Sequence, residues 1–224
     1  MGRSAGVVFV VDDDGEVRAG LSRLLGAAGY QVRTFDSAES FLVGHDDEMQ
    51  GCLLLDINMP GMSGLELQRT LDGLSSRPIV FLTGHGDIPA SVRAMKEGAV
   101  DFLTKPFDPM QLCAALDQAL QRDGEQRIER ARLADVQRRL RTLTRRERQV
   151  MEGVVRGLLN KQIAGELAID EKTVKVHRGR VMSKMRMRSL ADLVRLVSGA
   201  PVDAPSRSAE RSGVCMPAVQ TSRN

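Results

Sequence analysis

The chain has 224 residues, of which 42% are hydrophobic, and a formal net charge of +3. This length allows two modest domains with separate cores, and no apolar run approaches the roughly 18 residues of a membrane-spanning helix. The first residues lack a signal-peptide pattern, and Cys52, Cys113 and Cys215 have no zinc-like spacing, so we expect a protein of the reducing cytoplasm with no membrane partner.

The charge is divided unevenly along the chain. Residues 1–123 carry 10 Lys and Arg against 18 Asp and Glu, whereas residues 124–224 carry 22 against 11, so the two parts have net charges of −8 and +11. An acidic half joined to a basic half indicates two domains with different partners, the second partner being a polyanion. All six Phe and the single Tyr lie between Phe9 and Phe107. The basic half therefore has no such ring for a base to stack on, which favours duplex over single-stranded nucleic acid.

The acidic half alternates strand patterns with helix patterns. Strands are predicted at residues 7–11, 31–35, 51–57, 79–82 and 102–104. Each strand is followed by a helical pattern. The first pattern stops at Gly29, the second is short and follows Ser37, and the third opens with the capping box of Ser63 and Glu66. The fourth begins at Asp87, and the fifth runs from Pro109 to about Gln121. Five strands alternating with five helices predict an α/β domain with a flavodoxin-like, doubly wound, parallel five-stranded sheet in the strand order 2-1-3-4-5.

Polar residues stand where four of these strands end. Asp12 and Asp13 follow the first strand, Asp56 ends the third, Thr83 follows the fourth and Lys105 follows the fifth. Open α/β sheets bind ligands at this edge, and carboxylates that converge there repel one another unless a hard cation such as Mg²⁺ neutralises them. A lysine, a hydroxyl donor and a free carboxylate nucleophile together suit phosphoryl transfer. Single residues of this kind are often helix caps or ion pairs, but their joint placement favours a functional site.

The basic half is predicted to be helical. Residues 123–143 are predicted to form a helical linker, and a second capping box, formed by Thr144 and Glu147, opens a series of four short helices that reaches about residue 197. The Ser-, Pro- and Gly-rich residues 199–224 are predicted to be a disordered tail. The predicted domains are therefore residues 1–122, the linker 123–143, residues 144–198 and the tail.

Two of these helices form a helix-turn-helix pattern. One opens at Asn160, a turn follows around residues 168–169, and Asp170 caps a helix that runs from Glu171 to Met185. In the helix from Glu171 to Met185, the side chains of Val174, Val181 and Met185 are predicted to form a stripe that faces the core. The cations of this helix lie largely away from that stripe: Lys172, Lys175, Arg178 and Lys184. Cations there can contact phosphates or base edges in the major groove. The alternative is that these cations form only the solvent-exposed face of an ordinary helical bundle. The excess of Lys and Arg over Asp and Glu in this half of the chain disfavours that alternative.

The acidic half resembles a known family. The segments VVDDD, LLLDINMPGMSG, Thr83-Gly84 and Lys105-Pro106 resemble the receiver domain of bacterial two-component response regulators over roughly residues 5–122. The resemblance implies that a sensor histidine kinase phosphorylates Asp56. It also implies that Mg²⁺ is held by Asp12, Asp13, Asp56 and the backbone carbonyl of Asn58.

Further roles follow from the same resemblance. Thr83 and Lys105 would contact the phosphoryl oxygens, and Lys105-Pro106 would be a cis peptide bond. Phe102 occupies the family's switch-aromatic position and would move inward as Thr83 shifts, although a plain core aromatic is an equal alternative.

The basic half also resembles a known family. The segments LTRRERQVMEGVVRGLLNKQIAGELAI and TVKVHRGRVMSKM closely resemble the LuxR-type helix-turn-helix domain, and the whole chain over about residues 5–197 resembles the FixJ/NodW branch of response regulators. The predicted DNA-binding residues are Lys172, Thr173, Lys175, Val176 and Arg178. Of these, Lys175 and Val176 would face the bases. Gly179 departs from the lysine that some relatives carry, and Leu193 with Val197 would form a dimer contact.

These patterns together predict a phosphorylation-activated transcription factor rather than an enzyme. Its partners would be a sensor histidine kinase, double-stranded promoter DNA, RNA polymerase and, on phosphorylation, a second copy bound through residues 87–120. The alternative is a magnesium-dependent phosphatase or phosphotransferase of the haloacid dehalogenase type, which favours two acids spaced two apart on the first strand, whereas Asp12 and Asp13 are adjacent. A ligand-gated LuxR-type regulator is disfavoured by the acidic pocket and the scarcity of aromatic residues.

Overall fold

The computed structural model describes residues 6–46, 48–72, 77–84 and 88–197. These residues form two compact units, which divide between Leu133 and Ala134. The predicted disordered tail, residues 199–224, lies outside the described residues, as does Asp87. Within the described ranges, no helix combines the length and apolar character that crossing a membrane requires.

The first unit is built on a parallel sheet. Its strands are β1 (Val7–Val11), β2 (Gln31–Phe35), β3 (Gly51–Asp56), β4 (Ile79–Thr83) and β5 (Asp101–Thr104). They are ordered β2-β1-β3-β4-β5, and each neighbouring pair is parallel. The predicted flavodoxin-like order is therefore confirmed. Strands β1, β3 and β4 are buried along their whole length, which explains why they are apolar runs without alternation.

Helices cover both faces of this sheet. They are α1 (Gly15–Ala27), α2 (Ala38–Gly44), α3 (Gly64–Leu71), α4 (Ile88–Lys96) and α5 (Pro109–Arg141). Because successive strand residues point to opposite faces, Phe9 and Leu55 pack in one core layer with α2, α3 and α4, while Val10 and Leu54 pack in the other with α1 and α5. Ser63 and Glu66 form the predicted capping box at the start of α3.

The prediction that the fifth helix ends near Gln121 is wrong, because α5 continues without a break through the predicted linker to Arg141. The linker is rich in Arg, Glu and Gln, which are strong helix formers, and Gly124 alone does not interrupt it. Buried Asp123 accepts hydrogen bonds from the Gly51 amide and from Arg127, each at 2.9 Å. Arg127 also donates to the backbone carbonyl of Met49 at 2.8 Å. The beginning of the predicted linker is thus bonded to the first unit.

Up to residue 197, where its described residues end, the second unit contains four short helices besides the end of α5: α6 (Arg145–Val155), α7 (Asn160–Leu167), α8 (Glu171–Met185) and α9 (Leu190–Val197). Their number and starting residues agree with the sequence pattern. Val174, Val181 and Met185 form the predicted core stripe, each no more than 1% exposed. The turn between α7 and α8 passes through Ala168 in the left-handed region (φ 52°), and Asp170 then accepts a hydrogen bond from the Thr173 amide.

Gly64 leaves no space for a side chain at the end of β3. A Cβ there would lie 2.2 Å from the backbone oxygen of Asp56 and 3.1 Å from the Cα of Ile57. Because both are backbone atoms, the strand end would have to shift. We expect Gly64→Ala to lower the free energy of unfolding of the first unit by about 2–4 kcal/mol. Tyr30 is the single Tyr of a chain without Trp, so its fluorescence in a urea titration reports on this unit.

The matched control is Gly20→Ala. Gly20 lies within α1, and an added Cβ would meet nothing within 4 Å. We expect this change to raise the free energy of unfolding by about 0.5–1 kcal/mol, the ordinary gain of alanine over glycine in a helix. A Gly64→Ala chain as stable as the unchanged one would contradict the close approach of α3 to β3.

Candidate functional site

Three predicted site residues meet at the carboxyl edge of the sheet. Asp12 follows β1, Asp56 ends β3 and Lys105 follows β5. The Nζ atom of Lys105 lies 2.7 Å from Oδ2 of Asp12 and 2.6 Å from Oδ1 of Asp56. Thr83 ends the strand beside Asp56, and its backbone oxygen accepts a 2.7 Å hydrogen bond from the Lys105 amide. The Lys105-Pro106 bond is cis, as predicted.

Burial gives this cluster its electrostatic character. Asp12 is 1% exposed and Asp56 5%, so both carboxylates depend on Lys105 for neutralisation. Burial is the largest influence on Asp56 and raises its pKa above the usual value, against the opposing hydrogen bond from Lys105. Burial alone would lower the pKa of Lys105, but its hydrogen bonds to the two carboxylates outweigh burial and raise it. Lys105 therefore stays charged at neutral pH.

Backbone amides orient the two buried carboxylates. The Asn58 amide donates to Oδ2 of Asp56 at 2.7 Å, and the Asp14 amide donates to Oδ1 of Asp12 at 2.9 Å. In each carboxylate one oxygen is thus held by the backbone and the other by Lys105. The oxygen of Asp56 that contacts Lys105 is held by a flexible side chain rather than by the backbone, so it is the one that can change partner.

The hydroxyl of Thr83 is a buried donor without an acceptor. Thr83 is 0% exposed, and its Oγ1 has no hydrogen-bond partner in the described part of the chain. A buried polar group in this state costs about 1–3 kcal/mol, which a ligand oxygen at this edge would recover. Phe102, on the neighbouring strand, is partly buried and packs against the core layer that contains Phe81. Whether Phe102 moves stays a prediction.

The predicted magnesium ligands are brought together only in part. Asp12 and Asp56 share Lys105, whereas Asp13 is exposed. Within the described ranges, no three His, Cys, Asp or Glu side chains are grouped as a metal site. The donor set nevertheless fits Mg²⁺ chemically, since buried carboxylate oxygens with excess negative charge are the ligands that this hard cation prefers.

Sequence reasoning missed a residue that supports the site. Arg18, one turn into α1, donates from Nη1 to the backbone oxygen of Asp12 at 2.6 Å. The bond fixes the end of β1, from which the Asp12 and Asp13 side chains project. The only signal in the sequence was the position of Arg18 six residues after Asp12 on an otherwise amphipathic helix, which does not identify its partner.

In the second unit, the predicted DNA-binding residues lie along α8. Lys172, Lys175 and Val176 are exposed, and Val176 is a 48% exposed apolar side chain. Thr173 and Arg178 have partners within the unit: the Thr173 hydroxyl donates to Asp170 at 2.6 Å, and Arg178 donates to Oδ1 of Asn160 at 2.9 Å. Both bonds hold α8 to the turn and to the start of α7. Contact of these five residues with DNA stays a prediction.

The interpretation of Lys184 as a cation on the exposed flank is wrong. Its Nζ lies 2.6 Å from Glu147, which is 2% exposed, and 3.0 Å from the Thr142 carbonyl. The hydrogen bonds from Lys184 and from the Thr144 amide lower the pKa of Glu147 to about 2. Because this value lies below the ordinary 4.5, the pair stabilises the unit above that pH and the effect is lost as the pH falls toward 2. Lys184 is therefore structural.

The predicted dimer contact of Leu193 is also wrong, because Leu193 is 1% exposed and packs in the core of its own unit. A contact through the Val197 side chain lies outside what the structure describes. The apolar spacing of α9 could not distinguish a side chain that faces its own core from one that faces a partner.

Comparisons with known proteins agree with this arrangement. The chain matches two family models, the response regulator receiver domain over residues 8–117 and the bacterial regulatory proteins of the LuxR family over residues 141–197. It is 48% identical to nodulation protein W of Bradyrhizobium diazoefficiens over 191 residues, 85% of this chain and 84% of that protein. It is 43% identical over 196 residues to the transcriptional regulatory protein FixJ of the same organism, covering 87% and 96% of the two chains. The solved structure of the response regulator StyR is 53% identical and superposes with a TM-score of 0.78, covering 87% of this chain and 98% of that one.

Proposed function

Because this chain belongs to the two-component response regulators that join a receiver domain to a LuxR-type DNA-binding domain, we propose that phosphorylation of Asp56 controls its binding to promoter DNA. The observation that carries this proposal is the pair of contacts made by the Asp56 carboxylate. One oxygen is fixed by the Asn58 amide and the other lies 2.6 Å from the ammonium of Lys105. A buried nucleophile is thereby oriented next to a cation.

The chemistry assigned to these residues is a single phosphoryl transfer. As Oδ1 of Asp56 bonds to phosphorus, the bond between phosphorus and the nitrogen of the kinase histidine breaks. Lys105 keeps Asp56 ionised and therefore nucleophilic, against the effect of burial. As the new bond forms, the ammonium moves from Oδ1 to a phosphoryl oxygen, and the Thr83 hydroxyl donates to another. Thr83 thereby gains the acceptor that it lacks.

Receiver domains are generally magnesium-dependent, and Asp12, Asp13, Asp56 and the backbone carbonyl of Asn58 would hold the ion here. It would supply positive charge beside the phosphoryl oxygens. Arg18 would position the first two of these ligands by holding the Asp12 carbonyl.

In this proposal, phosphorylation raises the affinity for DNA by changing the protein from a monomer to a homodimer. The shift of Thr83 toward the phosphoryl group and the inward movement of Phe102 would alter the surface formed by residues 87–120. Among the side chains of this surface that the structure describes, three large apolar ones are exposed, Val92 by 48%, Met95 by 46% and Met110 by 78%, which supports its pairing with a second copy. Two basic domains held together double the phosphate contacts and so raise the affinity for DNA. In this account the homodimer acts in the cytoplasm, and RNA polymerase at the promoter is its further partner.

The proposal predicts that DNA binding depends on a phosphodonor. With acetyl phosphate and Mg²⁺, the affinity of the full chain for a fluorescein-labelled promoter duplex is expected to rise at least about tenfold, equivalent to about 1.4 kcal/mol. Fluorescence anisotropy measures the affinity, and size-exclusion chromatography with light scattering measures the accompanying dimerisation. The control omits Mg²⁺. Equal affinity with and without the donor, in protein that intact-mass analysis shows to be phosphorylated, would contradict the proposal.

Gly179 offers a second prediction on the DNA-binding surface. It lies inside α8, it is exposed, and an added Cβ would meet nothing within 4 Å. Gly179→Ala is expected to stabilise the second unit by about 1 kcal/mol through helix propensity alone. Gly179→Lys should also tighten DNA binding and steepen its salt dependence, by about 0.9 in the slope of log K against log salt concentration. Binding measured over a KCl series separates the two effects, and identical slopes for the Ala and Lys variants would show that position 179 does not face DNA.

A further inference from the structure

We propose that a basic patch around the C-terminal end of α8 contacts DNA phosphates beyond the segment read by the first half of that helix. The patch consists of Arg141, Arg145, Arg180, Arg186 and Arg188. The inference rests on the proposed DNA-binding function and adds to it a second, sequence-independent contact surface.

Among the exposed arginines that the structure describes in the second unit, these five differ from the others in their lack of partners. All five are exposed, and none of their guanidinium groups makes a hydrogen bond or ion pair in the part of the chain that the structure describes. Exposed arginines elsewhere in the same unit are paired, for example Arg156 with Glu166 and Arg195 with Asp192. Five like charges without counter-charges repel one another, and a polyanion would relieve this repulsion.

Three contacts place the members of the patch around one end of α8. Arg139 donates to the Met185 carbonyl at 3.0 Å, and Lys184 donates to the Thr142 carbonyl at 3.0 Å and pairs with Glu147 at 2.6 Å. The last turn of α8 is therefore joined to the segment that connects α5 to α6. Arg141 and Arg145 lie at the two ends of that segment, and Arg186 and Arg188 follow the end of α8.

Arg180 connects this patch to the predicted reading surface. Lys172, Val176 and Arg180 follow one another at intervals of four residues along α8, so they lie on one side of the helix. All three are exposed. A positive strip thus runs from the start of α8, where base contacts are predicted, to the patch at its end.

Helix geometry favours duplex DNA as the occupant. The 15 residues of α8 span about 22 Å, whereas the major groove is about 12 Å wide. When the helix enters the groove at an angle, with its N-terminal residues on base edges, its far end extends past the groove, where the nearest groups of the duplex are backbone phosphates. Cations near the C-terminal end of a helix can also stabilise its dipole, but this effect does not explain the five arginines of the patch. The cations that contact carbonyl groups at these helix ends are Arg139, Arg148 and Lys184, not the five exposed arginines.

The test is the salt dependence of binding of the full chain, with acetyl phosphate and Mg²⁺, to a mixed-sequence 30-base-pair duplex. A variant with Gln at all five positions is expected to lose at least about tenfold in affinity and about 2–4 in the slope of log K against log salt concentration, since each phosphate contact contributes about 0.9. The same five changes to Lys retain the charge and should retain the slope. Arg156→Gln with Arg195→Gln, two paired arginines outside the patch, should change the slope by less than about 1.

The outcomes distinguish this inference from the function on which it rests. If the unchanged chain binds duplex and the Gln variant keeps the same slope, the patch does not contact DNA, and the proposed function stands. If the unchanged chain binds no duplex at all, both fail. Thermal unfolding followed by circular dichroism checks that the variant is folded. Should it unfold, Arg141→Gln with Arg145→Gln provides the decisive measurement, because these two lie outside α8 and should still lower the slope by about 1–2.

Discussion

Asp56→Asn is expected to reduce phosphate uptake from acetyl phosphate and Mg²⁺ by more than about two orders of magnitude, the scale on which loss of a catalytic group acts. The carboxamide keeps the shape of the side chain and the acceptor for the Asn58 amide, but it has no anionic oxygen to attack phosphorus. Uptake is measured as radiolabel retained on the full chain or as the mass increase of one phosphoryl group.

Asp14→Asn is the matched control for this change, because Asp14 belongs to the same run of acids. Its carboxylate caps α1 by accepting from the Glu16 amide at 2.8 Å and the Val17 amide at 3.2 Å. Asparagine caps a helix about as well as aspartate, so this variant should take up phosphate like the unchanged chain. If the Asp56→Asn protein were labelled at another residue to the same extent, the assignment of the phosphate acceptor would fail.

Lys105→Met is expected to destabilise the first unit by about 3–5 kcal/mol at pH 7, because removal of one member of a buried ion pair leaves the other uncompensated. Here two carboxylates, Asp12 at 1% and Asp56 at 5% exposure, lose their shared cation. Urea titration followed by Tyr30 fluorescence measures the loss. Phosphate uptake should fall as well, since no ammonium remains to contact the phosphoryl oxygens.

The pH dependence of this variant has a definite sign. In the unchanged chain the pKa of Lys105 is raised, so its contribution is fully present at neutral pH and is lost only in strong alkali. Without Lys105, the pKa of Asp56 is expected to rise further. The deficit in stability should therefore shrink between pH 7 and pH 5, as one carboxylate takes up a proton.

Lys105→Arg supplies the control, because it retains the positive charge with a different geometry and should lose less than half as much stability. A Lys105→Met chain as stable as the unchanged one at pH 7, or a deficit that grows toward pH 5, would contradict the buried cluster.

Much of the first unit could be predicted from the sequence, because the information was local. The strands β1, β3 and β4 are short apolar runs with a polar residue at or directly after their ends. The strand order and the meeting of Asp12, Asp56 and Lys105 therefore followed from the rules for parallel sheets. The start of α8 was equally local, since Asp170 is a recognisable cap.

What could not be predicted depends on contacts between distant parts of the chain. Lys184 and Arg186 are alike in sequence, yet one reaches Glu147, 37 residues away, and the other has an exposed side chain without a described partner. Leu193 has the spacing of a dimer contact and lies in the core instead. The contact of Arg18 with the Asp12 carbonyl is of the same kind. Charge patterns give the number of cations on a surface, whereas packing decides which of them are available to a partner.

The most direct test of the account is to locate the phosphate. The full chain is incubated with acetyl phosphate and Mg²⁺, the acyl phosphate is reduced with borohydride to homoserine, and tandem mass spectrometry identifies the converted residue. The account predicts homoserine at position 56 and unchanged aspartate at Asp12 and Asp13. Conversion at another position, or a rise in DNA affinity while Asp56 stays unmodified, would contradict it.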